Sequence, residues 1–316
     1  MQDRTRKLAL IEGVLAGSLF GTAAIFIRIL QNTGLDSFYI AFWRLIIACF
    51  ALGALFCFIR RSQDFNVIRK NIKEYSVLSF FLALHFIFFI SAVNDTSILN
   101  ATVLVNTTPI FSILVSSLLF REKPYGLAIL ALFLSFFGIL VITLAETVSV
   151  NTNIVGRTPT LRGDLEAVLA ALVEAFYLNY GRKIRKRTNT VSTMFPIYVV
   201  TALLVGALSI AFRANVLNPP INLGVLVPLI GLGILPTAAA HTLYFSSLSN
   251  LKSFETATMA LLEPIGATIL GMIIFQEIPA PFFILGACLI LLGVFFVVKG
   301  GNLESDKTNK KSANRY

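Results

Sequence analysis

Two histidines, His85 and His241, stand in apolar stretches 156 residues apart. A neutral imidazole can donate one hydrogen bond and accept another. Placed in a membrane, such a pair can bind a polar solute or exchange protons; it can equally be a packing pair inherited from one ancestral helix. Glu174 falls in the middle of another apolar run, Glu263 directly precedes Pro264, and Asn106 lies just before Thr108-Pro109. An ionisable group inside a bilayer is expensive, so function is its default reading, and Glu174 is the first choice for a proton- or cation-responsive group. The amide of Asn106 can serve a solute or a neighbouring helix. Arg44 follows Tyr39 and Trp43, and Arg28 closes the preceding apolar stretch. Both arginines fit snorkelling beside an aromatic belt or a cationic gate for a carboxylate- or phosphate-bearing substrate.

The elements that position these groups follow from composition. The 316 residues are 56% hydrophobic and 13% charged, with a mean hydropathy of +0.82; soluble domains carry about 25% charged residues. Apolar blocks reach the 18 or more residues that cross a hydrocarbon core of roughly 30 Å. A soluble enzyme and a disulfide-stapled secreted domain are excluded. The reading is an all-α polytopic membrane protein with ten transmembrane helices, at about 8–30, 38–59, 75–93, 98–119, 125–144, 163–181, 194–212, 223–247, 254–274 and 279–298. Residues 301–316 are polar and read as a mobile tail. Cys49, Cys57 and Cys288 lack metal-ligand spacing and read as packing residues. Walker, HExxH and GxSxG patterns are absent from the sequence, and no cofactor is implied.

Basic residues set the orientation. With the N-terminus inside, 21 of the 26 Lys and Arg fall in internal segments and only Arg157, Arg162 and Arg213 outside, which predicts two cytoplasmic termini by the positive-inside rule. The +10 charge is therefore a topology signal that also attracts anionic headgroups, and no nucleic-acid partner is expected.

The chain also repeats itself. An offset of 156 pairs His85 with His241, Asn94 with Asn250 and Ser97 with Ser253; an offset of 155 pairs Pro109 with Pro264; an offset of 154 pairs Glu12 with Glu166 and Arg28 with Arg182. Residues 1–149 and 150–300 thus read as two five-helix units. An odd number of spans per unit inverts the second, the geometry of a cavity exposed alternately to each side. Pro109, Pro264 and Pro236 are expected to bend their helices, since a proline frees a carbonyl one turn earlier. Gly13, Gly17 and Gly21 form a GxxxGxxxG ridge for close helix packing.

"NATVLVNTTPIFSILVSSLLFREKPYGLAILALFLSFFGILVI" and "ATMALLEPIGATILGMIIFQEIPAPFFILGACLILLGVFF" resemble the first and second repeats of the EamA branch of the drug/metabolite transporter superfamily, and "FYIAFWRLIIA" resembles its Arg-bearing second helix. The resemblance implies ten helices, cytoplasmic termini and secondary transport of small metabolites, often efflux of amino acids or drugs. It matches the family's Glu-Pro pair to Glu263-Pro264, with Thr108 departing in the first half, and makes Glu122 and Glu277 structural loop acids that pair with Arg121, Lys123 or helix ends. The leading expectation is an exporter of small organic metabolites in the cytoplasmic membrane, with a small-molecule substrate, protons and membrane lipids as partners. A sugar-phosphate or nucleotide-sugar exchanger, and a non-transporting interaction or sensing protein, are the alternatives.

Overall fold

The computed structural model describes residues 2–59, 64–96, 98–149, 160–185, 189–212, 214–275 and 282–313. Every regular element in them is helical. The helices are α1 (Gln2–Gln31), α2 (Ser37–Ile59), α3 (Asp64–Lys70), α4 (Ile72–Asp95), α5 (Ile98–Val105), α6 (Thr108–Leu119), α7 (Gly126–Ser149), α8 (Leu161–Arg185), α9 (Thr190–Ala211) and α10 (Leu223–Leu232). A π-helical segment (Gly233–His241) leads into α11 (Thr242–Ser247). Then come α12 (Ser253–Met259), a 3₁₀ turn (Ala260–Leu262), α13 (Glu263–Phe275) and α14 (Phe283–Ala313).

Among the described residues seven stretches are long and apolar enough to cross a membrane: Arg6–Gln31, Ser37–Phe58, Ile72–Asp95, Ala101–Leu119, Thr190–Ala211, Leu223–Ser247 and Phe283–Ser305, with Gly126–Ile142 a shorter apolar helix. The α8 helix carries too many charges to join them, and the α12–α13 stretch contains a 3₁₀ turn. A membrane rewards helices because each backbone polar group is satisfied within the segment.

Packing places the helix breaks at the centre. The α4 helix lies against α8 and α9, α2 against α9, and α1 against α13, the π segment and α11. The α7–α14 pair packs on the outside through Gly138 and Gly286, where a Cβ on either residue would stand 2.6 Å from the other's carbonyl oxygen. The glycine ridge of α1 faces the broken stretch: a Cβ at Gly13 would meet Met259 Cγ at 2.9 Å, and one at Gly21 would meet Glu263 O at 2.8 Å. Small residues at that spacing let backbones touch.

The prolines act differently from the expected bends. Pro109 and Pro264 are second residues of α6 and α13, so each opens a new helix rather than kinking the interior of an old one. A ring at that position removes the N–H that would reach the carbonyl four residues back, Val105 or Ala260, and the preceding turn breaks. At Pro236 the same deficit is met by widening the helix into the π segment.

The first helix begins at Gln2, ahead of its membrane-spanning stretch Arg6–Gln31. One further expectation is corrected. The chain beyond Gly300 continues α14 to Ala313 instead of forming a loose tail. Asn302 accepts a hydrogen bond from Arg6 Nε at 2.9 Å and Glu304 pairs with Lys252 at 3.0 Å; these partners hold a segment that its own composition would leave unfolded. Residues 314–316 lie outside the described residues.

Candidate functional site

The three breaks meet around one internal cavity, lined by side chains of α1, α2, α4, α6, α8, the π segment and α13. His85 and His241 both line it, with ring centroids 6.1 Å apart. Arg44, Asn106, Glu174 and Glu263 line it too, beside Phe20, Phe86 and Phe89. Its free volume is about 40 Å³, room for a few water molecules and far short of the several hundred Å³ of a typical ligand pocket. The conformation described is therefore contracted around its polar groups.

Arg44 overturns the snorkelling alternative. It is 2% exposed, because it points into the bundle from the second turn of α2. Its guanidinium sits 4.3 Å over the Phe86 ring, and Nε donates to Thr237 Oγ1 at 2.9 Å. Thr237 is placed by the π segment: its hydroxyl donates at 2.6 Å to Leu232 O, the carbonyl four residues before Pro236. Tyr198 OH fixes the same turn from α9 by donating to Thr237 O at 2.7 Å. Arg44 Nη1 is buried without a hydrogen-bond partner, and no carboxylate among the described residues forms an ion pair with Arg44. The side chain of Arg28 lies outside the described residues.

The carboxylate side of the cavity belongs to Glu174, which is 8% exposed. Thr108 Oγ1 lies 3.1 Å from its Oε2, and His85 Nδ1 3.7 Å from the same oxygen. His85 Nδ1 is also 3.1 Å from Ala170 O. A carbonyl can only accept, so that contact assigns the proton of His85 to Nδ1. His241 sits between aromatic rings, 4.8 Å from Phe20 and 5.0 Å from Phe86, with Nδ1 buried and unpartnered. The hydroxyl of Tyr244, 5.2 Å from Phe20 ring to ring, is likewise buried without a partner. Asn106 lines the cavity, and its amide donates to Thr102 O at 2.8 Å, just beyond the end of α5.

Polar clusters cap the site at both ends of α8, whose Arg162 and Arg182 are about 30 Å apart along the axis. At one end Arg162 meets Asp95 at 3.2 Å and Glu166 at 3.1 Å, while Thr96 donates to Asp164 at 2.8 Å. The hydrogen bond to Glu166 and the charge of Asp95 hold the Arg162 guanidinium above its ordinary range. At the other end fully buried Glu255 gathers Arg6 at 2.8 Å, Tyr125 OH at 2.9 Å and the Lys252 backbone N–H at 2.7 Å. Glu122 pairs with Arg182 rather than with its neighbours Arg121 or Lys123; Glu277 lies outside the described residues. Sequence reading missed Thr237, Tyr244 and Glu255. Only Thr237 carried a local signal, its place directly after Pro236.

The chain is similar to known proteins. The model of the EamA-like transporter family matches the chain twice, over residues 7–144 and 161–299. Uncharacterized transporter YxxF of Bacillus subtilis (strain 168) is 23% identical over 93% of this chain and 90% of its own length. An uncharacterized transporter of Archaeoglobus fulgidus is 27% identical over 91% of this chain and 94% of its own. A solved crystal structure superposes with a TM-score of 0.76 at 18% identity, covering 94% of this chain and 98% of that one, a likeness of fold. The chain belongs to the EamA-like transporter family, and so is a multi-pass membrane protein that moves small solutes across a membrane.

Proposed function

We propose that the protein is an alternating-access exporter of small zwitterionic organic solutes, of amino-acid or drug-like size, in the cytoplasmic membrane. The observation that carries this reading is Arg44, a buried guanidinium aimed at the cavity with Nη1 unpartnered. Burying an unpaired charge costs several kcal/mol, and a substrate carboxylate would relieve that cost. Glu174 and Glu263 supply the complementary charge for an ammonium group, and Phe20, Phe86 and Phe89 an apolar surface. A sugar phosphate would set two negative charges against this one cavity cation, so a carboxylate is the better fit. Protons are the proposed coupling ion, because the substrate ammonium and a proton would compete for the same carboxylates.

The architecture that suits this function is ten spans in two inverted five-helix units, both termini cytoplasmic. Support comes from the double family match, from the offset that pairs His85 with His241 in one cavity, and from the basic-residue asymmetry. Flux in proteoliposomes tests the substrate and coupling. With a pH gradient imposed across the vesicle, uptake of apolar amino acids is expected to rise several-fold over a gradient-free control and to reverse with the gradient. Flux of phosphorylated solutes alone, or no gradient dependence, would contradict the proposal.

A further inference from the structure

At the break between α5 and α6 one hydroxyl has more acceptors than protons. Thr108 Oγ1 lies 2.8 Å from Val105 O, 3.1 Å from Glu174 Oε2 and 3.5 Å from Ala171 O. A hydroxyl donates once and accepts twice. Val105 O is the carbonyl that Pro109 deprives of its backbone donor four residues on. Thr108 and Glu174 are both buried, and with Val105 they line the small cavity.

We propose that Thr108 is a positioning residue that reads the charge on Glu174 and passes it to the α5–α6 break. With Glu174 ionised, the hydroxyl donates to Oε2 and leaves Val105 O. When a proton from the aqueous phase binds Oε2, the carboxyl O–H donates to Thr108 Oγ1, the hydroxyl rotates, and its own proton turns to Val105 O. One O–H bond forms on the carboxylate and none is broken within the protein. The break is then closed by a hydrogen bond it lacked before. The switch deepens the transport reading above, on which it rests only for its purpose: it would tie proton occupancy to the mobility of a cavity wall.

The offset positions in the other half are filled differently. At the offset of 155 Thr108 becomes Glu263, and at 154 Glu174 becomes Phe20. There the carboxylate stands on the broken helix itself, directly before Pro264. In the first half it stands on α8, so a relay group is needed to reach the break. The groups that share the environment of Glu174 are His85, Arg44, His241, Tyr177, Tyr244 and Glu263. None of them bonds to the Val105 carbonyl among the described contacts, which leaves Thr108 as the link.

The test uses the full chain in lipid nanodiscs, with no substrate present. The pH-difference infrared spectrum is expected to show a protonated-carboxyl band that disappears in Glu174→Gln. That band should move to higher frequency in Thr108→Val, which keeps the side-chain shape but cannot accept, and return in Thr108→Ser. Amide hydrogen exchange over residues 104–112, corrected for intrinsic pH dependence, should slow several-fold as the band appears. In Thr108→Val that step should be lost. Thr108→Ala serves where the valine variant does not elute as a single species. A band at the wild-type frequency in the hydroxyl-free variant, or a wild-type exchange step in it, overturns the proposal, as does the absence of any exchange step in the wild type. These readouts need no flux: an intact switch in a protein that transports nothing would refute the transport reading alone, whereas proton-driven flux without the switch would refute only the role of Thr108.

Discussion

One methyl group added at Gly17 is expected to cost the protein most of its folded yield. A Cβ there would run into the Met259 carbonyl, with Met259 C at 2.8 Å and Leu262 Cβ at 3.3 Å. The obstacle is backbone, which cannot rotate away. Overpacking a well-filled core costs about 1–3 kcal/mol when side chains can shift, and a backbone contact sits at or above the top of that range. The damage lands on the turn before Glu263, because Gly13, Gly17 and Gly21 together seat α1 on it. Gly17→Ala should therefore lower both the monodisperse fraction and the melting temperature in detergent. Gly126→Ala is the control, since nothing lies within 4 Å of a Cβ there, and it should behave as wild type. Equal behaviour of the two variants would mean that the ridge does not set the packing.

The second large effect is expected at Arg44. Lysine retains the charge but cannot lie flat over Phe86 while also donating sideways to Thr237, because the planar fork belongs to arginine. A hydrogen bond to a charged group contributes about 1.5–3 kcal/mol, equivalent to roughly ten- to hundredfold in substrate affinity. Arg44→Lys should lose about that much in transport efficiency at wild-type membrane levels, and Arg44→Gln should lose more. Should Gln equal wild type, the guanidinium has no part in substrate binding. Should Lys equal wild type, charge alone suffices and the stacked geometry is incidental.

Part of this site was legible before any fold was known. His85, His241, Glu174 and Glu263 stand out because a polar residue in an apolar run has few reasons to be there, and the offsets between the halves linked the two histidines. The glycine ridge was legible for the same reason of spacing. The inward turn of Arg44 was not. Hydropathy marks where a span lies but not which side of the helix faces the bundle, and Tyr39 and Trp43 beside it read as an interfacial belt. In the fold Tyr39 OH and Trp43 Nε1 instead donate to Asn218 O and Val216 O, at 3.1 Å each, in the connection after α9. The π segment was hidden too, since a proline announces a defect but not its remedy. That remedy uses the Thr237 hydroxyl, which donates to Leu232 O and accepts from Arg44, 193 residues away in sequence. Likewise the helical run beyond Gly300 is held by Arg6 and Lys252, partners that no local window contains.

The buried partners of Arg44 and Glu174 have meaning as a transport site only if the cavity opens in turn to both sides of the bilayer. Cysteine placed at Ala260, on the cavity wall, in a background with Cys49, Cys57 and Cys288 replaced, tests this with an impermeant maleimide applied to oriented vesicles. Labelling is expected from either face, with the balance shifting between faces when the pH gradient is reversed. Reaction from one face only, under every gradient and with every solute, would contradict the alternating cavity.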